Sequence, residues 1–140
     1  MSQSNTRLGD IRVLAGEDLT GMEGRLMELT HDTGVPEVKL PNANGDNAVY
    51  LLIEGAADAA PVSVRPIEAG RNVRLVLSGT CNPGDMLVLA DVGTPADKGK
   101  VRALPTAPGT YRVLAVAEEL GVDGQLVLAR PAMIGNKTVT

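Results

Sequence analysis

The sequence predicts an all-β protein of about ten short strands, an internally duplicated five-strand unit shaped as a β-barrel or a β-sandwich. Three observations carry this expectation. Short runs rich in Val, Leu and Ile recur between turns containing Gly, Pro, Asn or Asp along the chain. No segment holds a helical period over the length that a stable helix needs. The order of runs and turns in the first half also returns in the second. It is plainest where Met22-Glu23-Gly24 precedes Arg25-Leu26-Met27-Glu28-Leu29 and Asn82-Pro83-Gly84-Asp85 precedes Met86-Leu87-Val88-Leu89.

Taken in order, residues 1–9 are polar and form an N-terminal arm, mobile or ordered by a partner. Ile11-Arg12-Val13-Leu14 opens the first strand, and Ala15-Gly16 ends it. Arg25 to Leu29 is short, as strands are. His31-Asp32-Thr33-Gly34 is a turn, with a side-chain acceptor and a residue free to take positive φ. Residues 35–40 alternate except at Pro36, which points to an edge strand. Residues 41–47 are a loop, and 48–53 form the most apolar run of the first half, a central strand. Residues 54–60 are Ala-rich but short and Gly-bounded, between a helical turn and a loop. Residues 61–67 alternate again.

After a joint at 68–72 the pattern restarts. Val73-Arg74-Leu75-Val76 echoes Ile11-Arg12-Val13-Leu14; Gly84 echoes Gly24; Val101 in KVRALP echoes Val38 in EVKLP. Gly109 follows Pro105 as Gly45 follows Pro41. The run from Val113 to Glu118 lies over that from Val49 to Glu54, and Leu128-Ala129-Arg130-Pro131 over Ser63-Val64-Arg65-Pro66. The repeats are therefore placed at 10–69 and 70–134, packed as one barrel or as two half-barrels. An open five-strand sheet leaves edges and apolar faces that a second copy can cover. Residues 118–121 could add one helical turn, and residues 135–140 are expected as a loose polar tail.

Composition narrows the function. The chain has 140 residues, no Phe or Trp, only Tyr50 and Tyr111 as aromatics, and a net charge of −4. An acidic balance argues against gripping nucleic acid through phosphates, and the missing aromatics remove stacking platforms for single strands. No apolar run approaches a membrane span and no signal peptide is evident, so production in the cytosol is expected, without membrane partners.

Nucleophilic, metal and acid–base chemistry all lack a pattern. His31 is the one histidine and sits in a turn, where a solvent-facing role is expected. Cys81 is the one cysteine and reads as a small buried hydrophobe. The carboxylates Asp91, Asp97, Glu118, Glu119 and Asp123 follow no metal-loop spacing. Glu118 and Glu119 would point to opposite faces of an extended chain. The hairpin Gly24-Arg25-Leu26-Met27-Glu28-Leu29 lacks the Lys that biotinyl and lipoyl carriers hold at its tip. The expectation is a protein that is not an enzyme and uses no catalytic residue, metal or cofactor.

The second half carries a family resemblance. Its NPGDMLVLA, GKVRALP, YRVLAVAEE and QLVLARP, from Val73 to Pro131, resemble the small β-barrel decoration (cement) proteins of tailed-bacteriophage capsids. In those, a Gly-Asp turn precedes a strand, followed by a Gly-Lys-Val strand, a Gly-Val-Ala-x-Glu strand and a Val-x-Val-Arg strand. This chain departs at 113–117, where Leu114 or Ala115 replaces the expected Gly. The resemblance implies a structural virion protein on the outside of the mature capsid, partnered by the major capsid protein, commonly a homotrimer, that stabilises the head. On that reading Ser2, Gln3, Ser4, Asn5, Thr6, Arg7 and Leu8 would contact the capsid or a neighbouring subunit. Met22, Met27 and Met133 would supply apolar subunit contacts. The alternatives are another phage structural component, such as a tail or fibre-base domain, or a small-ligand or carbohydrate-binding β module. The scarcity of aromatic rings weighs against the last.

Overall fold

A computed structural model describes residues 9–140, and all ten strands are present. The first five are β1 (Ile11–Ala15), β2 (Leu26–Thr30), β3 (Glu37–Lys39), β4 (Tyr50–Glu54) and β5 (Pro61–Pro66). They close into a barrel in the order β1-β3-β2-β4-β5, with β5 back against β1. The second five are β6 (Val73–Val76), β7 (Met86–Leu89), β8 (Val101–Ala103), β9 (Gly109–Ala117) and β10 (Leu126–Val139). Their order, β6-β10-β9-β7-β8, is that of the first five, strand for strand.

The correspondence extends to single residues. Ile11 faces Val64 as Val73 faces Ala129; Leu29 faces Val38 as Leu89 faces Val101; Leu51 faces Arg65 as Val116 faces Arg130. Even the closing parallel contact survives. Gly16 N–H donates to Val38 O at 2.9 Å in the barrel, and Ser78 N–H to Val101 O at 2.8 Å in the second sheet. There the ladder between the first and third strands is reduced to one bridge, Leu77–Val101.

The equivalence corrects the sequence alignment by one residue in β9, where Val116 rather than Ala115 takes the place of Leu51. Bulges cause the slip. Leu114 is the extra residue of β9 opposite β7, whereas Ile53 is the extra residue of β4 opposite β5.

The turns before β2 and β7 explain their shared glycine. Gly24 and Gly84 have φ of 86° and 91°, a region that costs other residues. Asp85 fixes the second turn by accepting from Asn82 N–H at 2.8 Å. The two glycines differ in surroundings: a Cβ on Gly24 would come within 2.6 Å of Leu126 Cδ2, while none lies near Gly84.

Alternation in β2 and β4 links the halves. Met27 and Leu52 point into the first barrel with Leu19, Val38, Val62 and Val64. Their neighbours Leu26 and Leu51 point the other way, into a core shared with Leu75, Leu87, Leu114 and Val127 of the second half.

Several expectations are corrected. Pro36 lies just outside β3, which is paired on both sides, so the barrel has no edge there. Residues 135–139 are not loose: they continue β10 against β9. Residues 118–121 form no helical turn, because Gly121 exchanges backbone hydrogen bonds with Cys81, at 3.0 and 3.2 Å. Residues 55–60 form turns, not helix. Among the described residues the one helical element is a 3-10 turn at Pro95–Asp97. Met27, expected to supply a subunit contact, is fully buried because strand alternation turns it inward, and Met22 packs half-buried on the same core.

Candidate functional site

The charged side chains are largely spent on local structure. Arg65 grips Asp10 with two hydrogen bonds, at 2.6 and 3.2 Å. Glu119 accepts from Leu128 N–H at 2.9 Å and from Arg74 at 2.7 Å, and these contacts, the backbone one first, hold its carboxyl below the usual range. Glu118 takes Arg130 instead, so the two adjacent glutamates do separate. Lys39 pairs with Asp32, and Lys100 with Asp97. Among the described residues no group of three or more His, Cys, Asp or Glu is placed to hold a metal. His31 is exposed in its turn, and Cys81 is buried.

The features without a local explanation lie along β9 and β10. These two strands outrun their neighbours. β7 reaches β9 only as far as Val113, and β6 reaches β10 only at residues 126–129. Beyond that, Val113 pairs with Gly135, Arg112 with Asn136, Tyr111 with Lys137, Thr110 with Thr138 and Gly109 with Val139. The result is a two-stranded ribbon standing off the second sheet, its outer edges without a neighbouring strand. A lone ribbon is only marginally stable in water, and side-chain contacts brace this one. Tyr111 donates its hydroxyl to Ala107 O at 3.1 Å, Arg102 lies 5.9 Å from the Tyr111 ring centre, and Arg112 donates to Asn47 Oδ1 at 3.0 Å.

A register shift between Pro131 and Gly135 throws Met133 and Ile134 outward, 57% and 53% exposed. Beside them a cleft of about 490 Å³ opens between the ribbon and the loop leading into β4, lined by Asn47, Val49, Arg112, Val113, Met133 and Asn136. Where β9 runs into β10, the connecting turn exposes Leu120 (64%) and Val122 (56%).

Of the described residues expected to make contacts, Met133 alone belongs to this surface. Residues 2–8 lie outside the described residues, while Met22 and Met27 serve the first barrel. Sequence reading missed Ile134, Arg112, Lys137, Leu120 and Val122. A usable signal lay in Lys137-Thr138-Val139-Thr140, whose β-branched residues favour a strand.

No protein-family model matches the chain, and no curated protein matches it. Among solved structures, the fold is similar to the head fiber gp8.5 N base in bacteriophage phi29, with a TM-score of 0.69 over 91% of this chain and 97% of that one, at 15% sequence identity.

Proposed function

We propose that this chain is a structural protein of a bacteriophage particle, the base module of an appendage carried on the head. The observation that supports it is the end-to-end likeness to a head fiber base, which takes in both five-strand units. The reading assigns the chain no catalysis. The ion pairs described above close local turns and strand ends, and the exposed apolar side chains form surfaces suited to protein contacts.

Decoration of the shell, with stabilisation of the mature head, is the second reading, favoured by the strand motifs between Val73 and Pro131. Both readings place the chain on the outside of the capsid with the major capsid protein as partner. They differ in whether the shell needs it. Purified protein should co-sediment with expanded, undecorated capsids, and gold-labelled protein should appear on the head in electron micrographs. A base module leaves the heat resistance of the shell unchanged, whereas a cement raises it. Label confined to the tail, or no co-sedimentation, defeats both.

A further inference from the structure

The loop leading into β4 brings together an asparagine, an open backbone nitrogen and a hydrogen-bond donor. Of the asparagines in the sequence, Asn44 alone precedes a glycine. A following glycine lacks the side chain that would keep its backbone nitrogen away from the asparagine amide carbon. Asn44 and Gly45 are both exposed at the loop tip. Asp46 pins the base of that tip. Its N–H donates to Ala43 O at 3.1 Å, and its carboxylate accepts from Asn42 N–H at 2.8 Å and Ala43 N–H at 2.9 Å. Among the described residues nothing accepts from Gly45 N–H, so this nitrogen is open to a base in solvent. Asp123-Gly124 pairs an acidic side chain with a glycine in the same way, but there Gly124 N–H donates to Leu77 O at 2.8 Å. Across the loop, Val92 N–H of the second half donates to Asn44 Oδ1 at 3.1 Å. That oxygen is the one on which charge develops when the amide carbon is attacked, so the fold places a donor where the reaction needs it.

We propose that Asn44 converts spontaneously, without an enzyme, and that its isoaspartate product unties the two halves at Val92. The Gly45 nitrogen gives its proton to solvent base and bonds to Asn44 Cγ. The Cγ–Nδ2 bond breaks, Nδ2 takes up protons and leaves as ammonia, and a succinimide ring remains. Water then adds to either ring carbonyl and a ring C–N bond breaks, giving aspartate or isoaspartate. The net change is one water taken up and one ammonia lost, with no oxidant or reductant. Aspartate keeps an oxygen in place for Val92 N–H. In isoaspartate the backbone itself runs through Cβ and Cγ, so that oxygen becomes part of the main chain and the bond to Val92 is lost. This inference does not depend on the virion reading.

Storage of the full chain at mildly alkaline pH, followed by peptide mapping that distinguishes aspartate from isoaspartate, tests it. Product should accumulate at Asn44 severalfold faster than at Asn42, Asn47 or Asn136, with isoaspartate the larger share. Gly45→Ala should slow it severalfold and leave the fold intact, because a Cβ there meets nothing within 4 Å and the residue is not left-handed. Unfolding in urea removes the Val92 donor and should not raise the rate at Asn44. Exchange of the Val92 amide, followed by NMR, should run severalfold faster in the isolated isoaspartate form than in fresh protein or in Asn44→Asp. Conversion no faster than at the other asparagines, an unslowed Gly45→Ala, a rate that climbs on unfolding, or Val92 exchange that is unchanged in the isoaspartate form overturns the proposal.

Discussion

The backbone N–H of Leu26 donates to the carbonyl of Gly99 at 2.8 Å, so the first residue of β2 is bonded to the loop before β8 in the other half of the chain. Val76 N–H makes a second such bond to Gly24 O, at 3.0 Å. Gly99 has φ of 80°, and a Cβ there would lie 2.9 Å from Leu26 O and 3.0 Å from Leu40 Cδ2. Gly99→Ala should therefore cost about 1–3 kcal/mol in urea unfolding, combining left-handed strain with a contact that backbone cannot relieve. Gly84→Ala carries the same strain with open space around it, and should cost less.

The shared core makes a sharper demand. Leu26 is fully buried among residues of both halves. Leu26→Ala should destabilise by about 2–5 kcal/mol and shift a single unfolding transition seen by every probe. Two separate transitions, with only one of them shifted, would show that the halves unfold independently.

Arg25 strengthens the same seam by donating to Ala96 O at 3.0 Å and Lys98 O at 2.9 Å. Arg25→Ala strips a charged donor from two carbonyls, and should cost about 1–2 kcal/mol by chemical denaturation. Arg25→Lys should recover part of that, since an ammonium supplies donors but lacks the rigid planar reach that brings the single Nη1 of Arg25 to both carbonyls.

Much of this architecture was legible in the sequence, because strand formation rests on local alternation and turn chemistry. Val101 and Val38, or Gly84 and Gly24, could be matched from flanking residues alone. Registers were less accessible. The bulges at Leu114 and Ile53 look like ordinary strand residues, yet they shift one strand against the other by a position. Buried and exposed methionines were also indistinguishable, since Met27 and Met133 differ only in which side of a strand faces protein. The ribbon was missed because polar Asn136 and Lys137 resemble tail sequence, while their pairing partners lie more than twenty residues away. The exposed ribbon is therefore a product of strand length, which polarity hides.

Acid titration should separate two kinds of carboxylate. Glu28 is raised above its usual range, by burial first and then by neighbouring Asp46, whose carboxylate is held in place by Asn42 N–H and Ala43 N–H. A carboxyl raised in the folded state favours the fold below its unfolded pKa, and that contribution is lost as pH rises through the folded value. Glu28→Gln keeps a donor for Asp46 and removes the charge. It should stabilise the protein by about 0.5 kcal/mol at neutral pH and converge on wild type in acid. Asp97, lowered by its hydrogen bond to Lys100, runs the other way: its contribution is present at neutral pH and is lost as pH falls through its folded value.

The thiol of Cys81 offers a reporter on the support beneath Leu120 and Val122. It is 3% exposed, and burial first, then Asp85, pushes its pKa up. The thiolate is the reactive form, so a thiol reagent at mildly alkaline pH should label the folded protein slowly and the urea-unfolded protein fast. Labelling of the fold then requires the Cys81–Gly121 bridge to open. Gly121 is packed so that a Cβ would come within 2.9 Å of the Cys81 sulfur and 2.6 Å of Leu77 Cδ2. Gly121→Ala should push these groups apart and speed labelling severalfold, with little change in the dichroism of the strands. Equal rates for wild type and variant would mean that Cys81 is reached by another opening, and that the turn is not the fixed support its hydrogen bonds indicate.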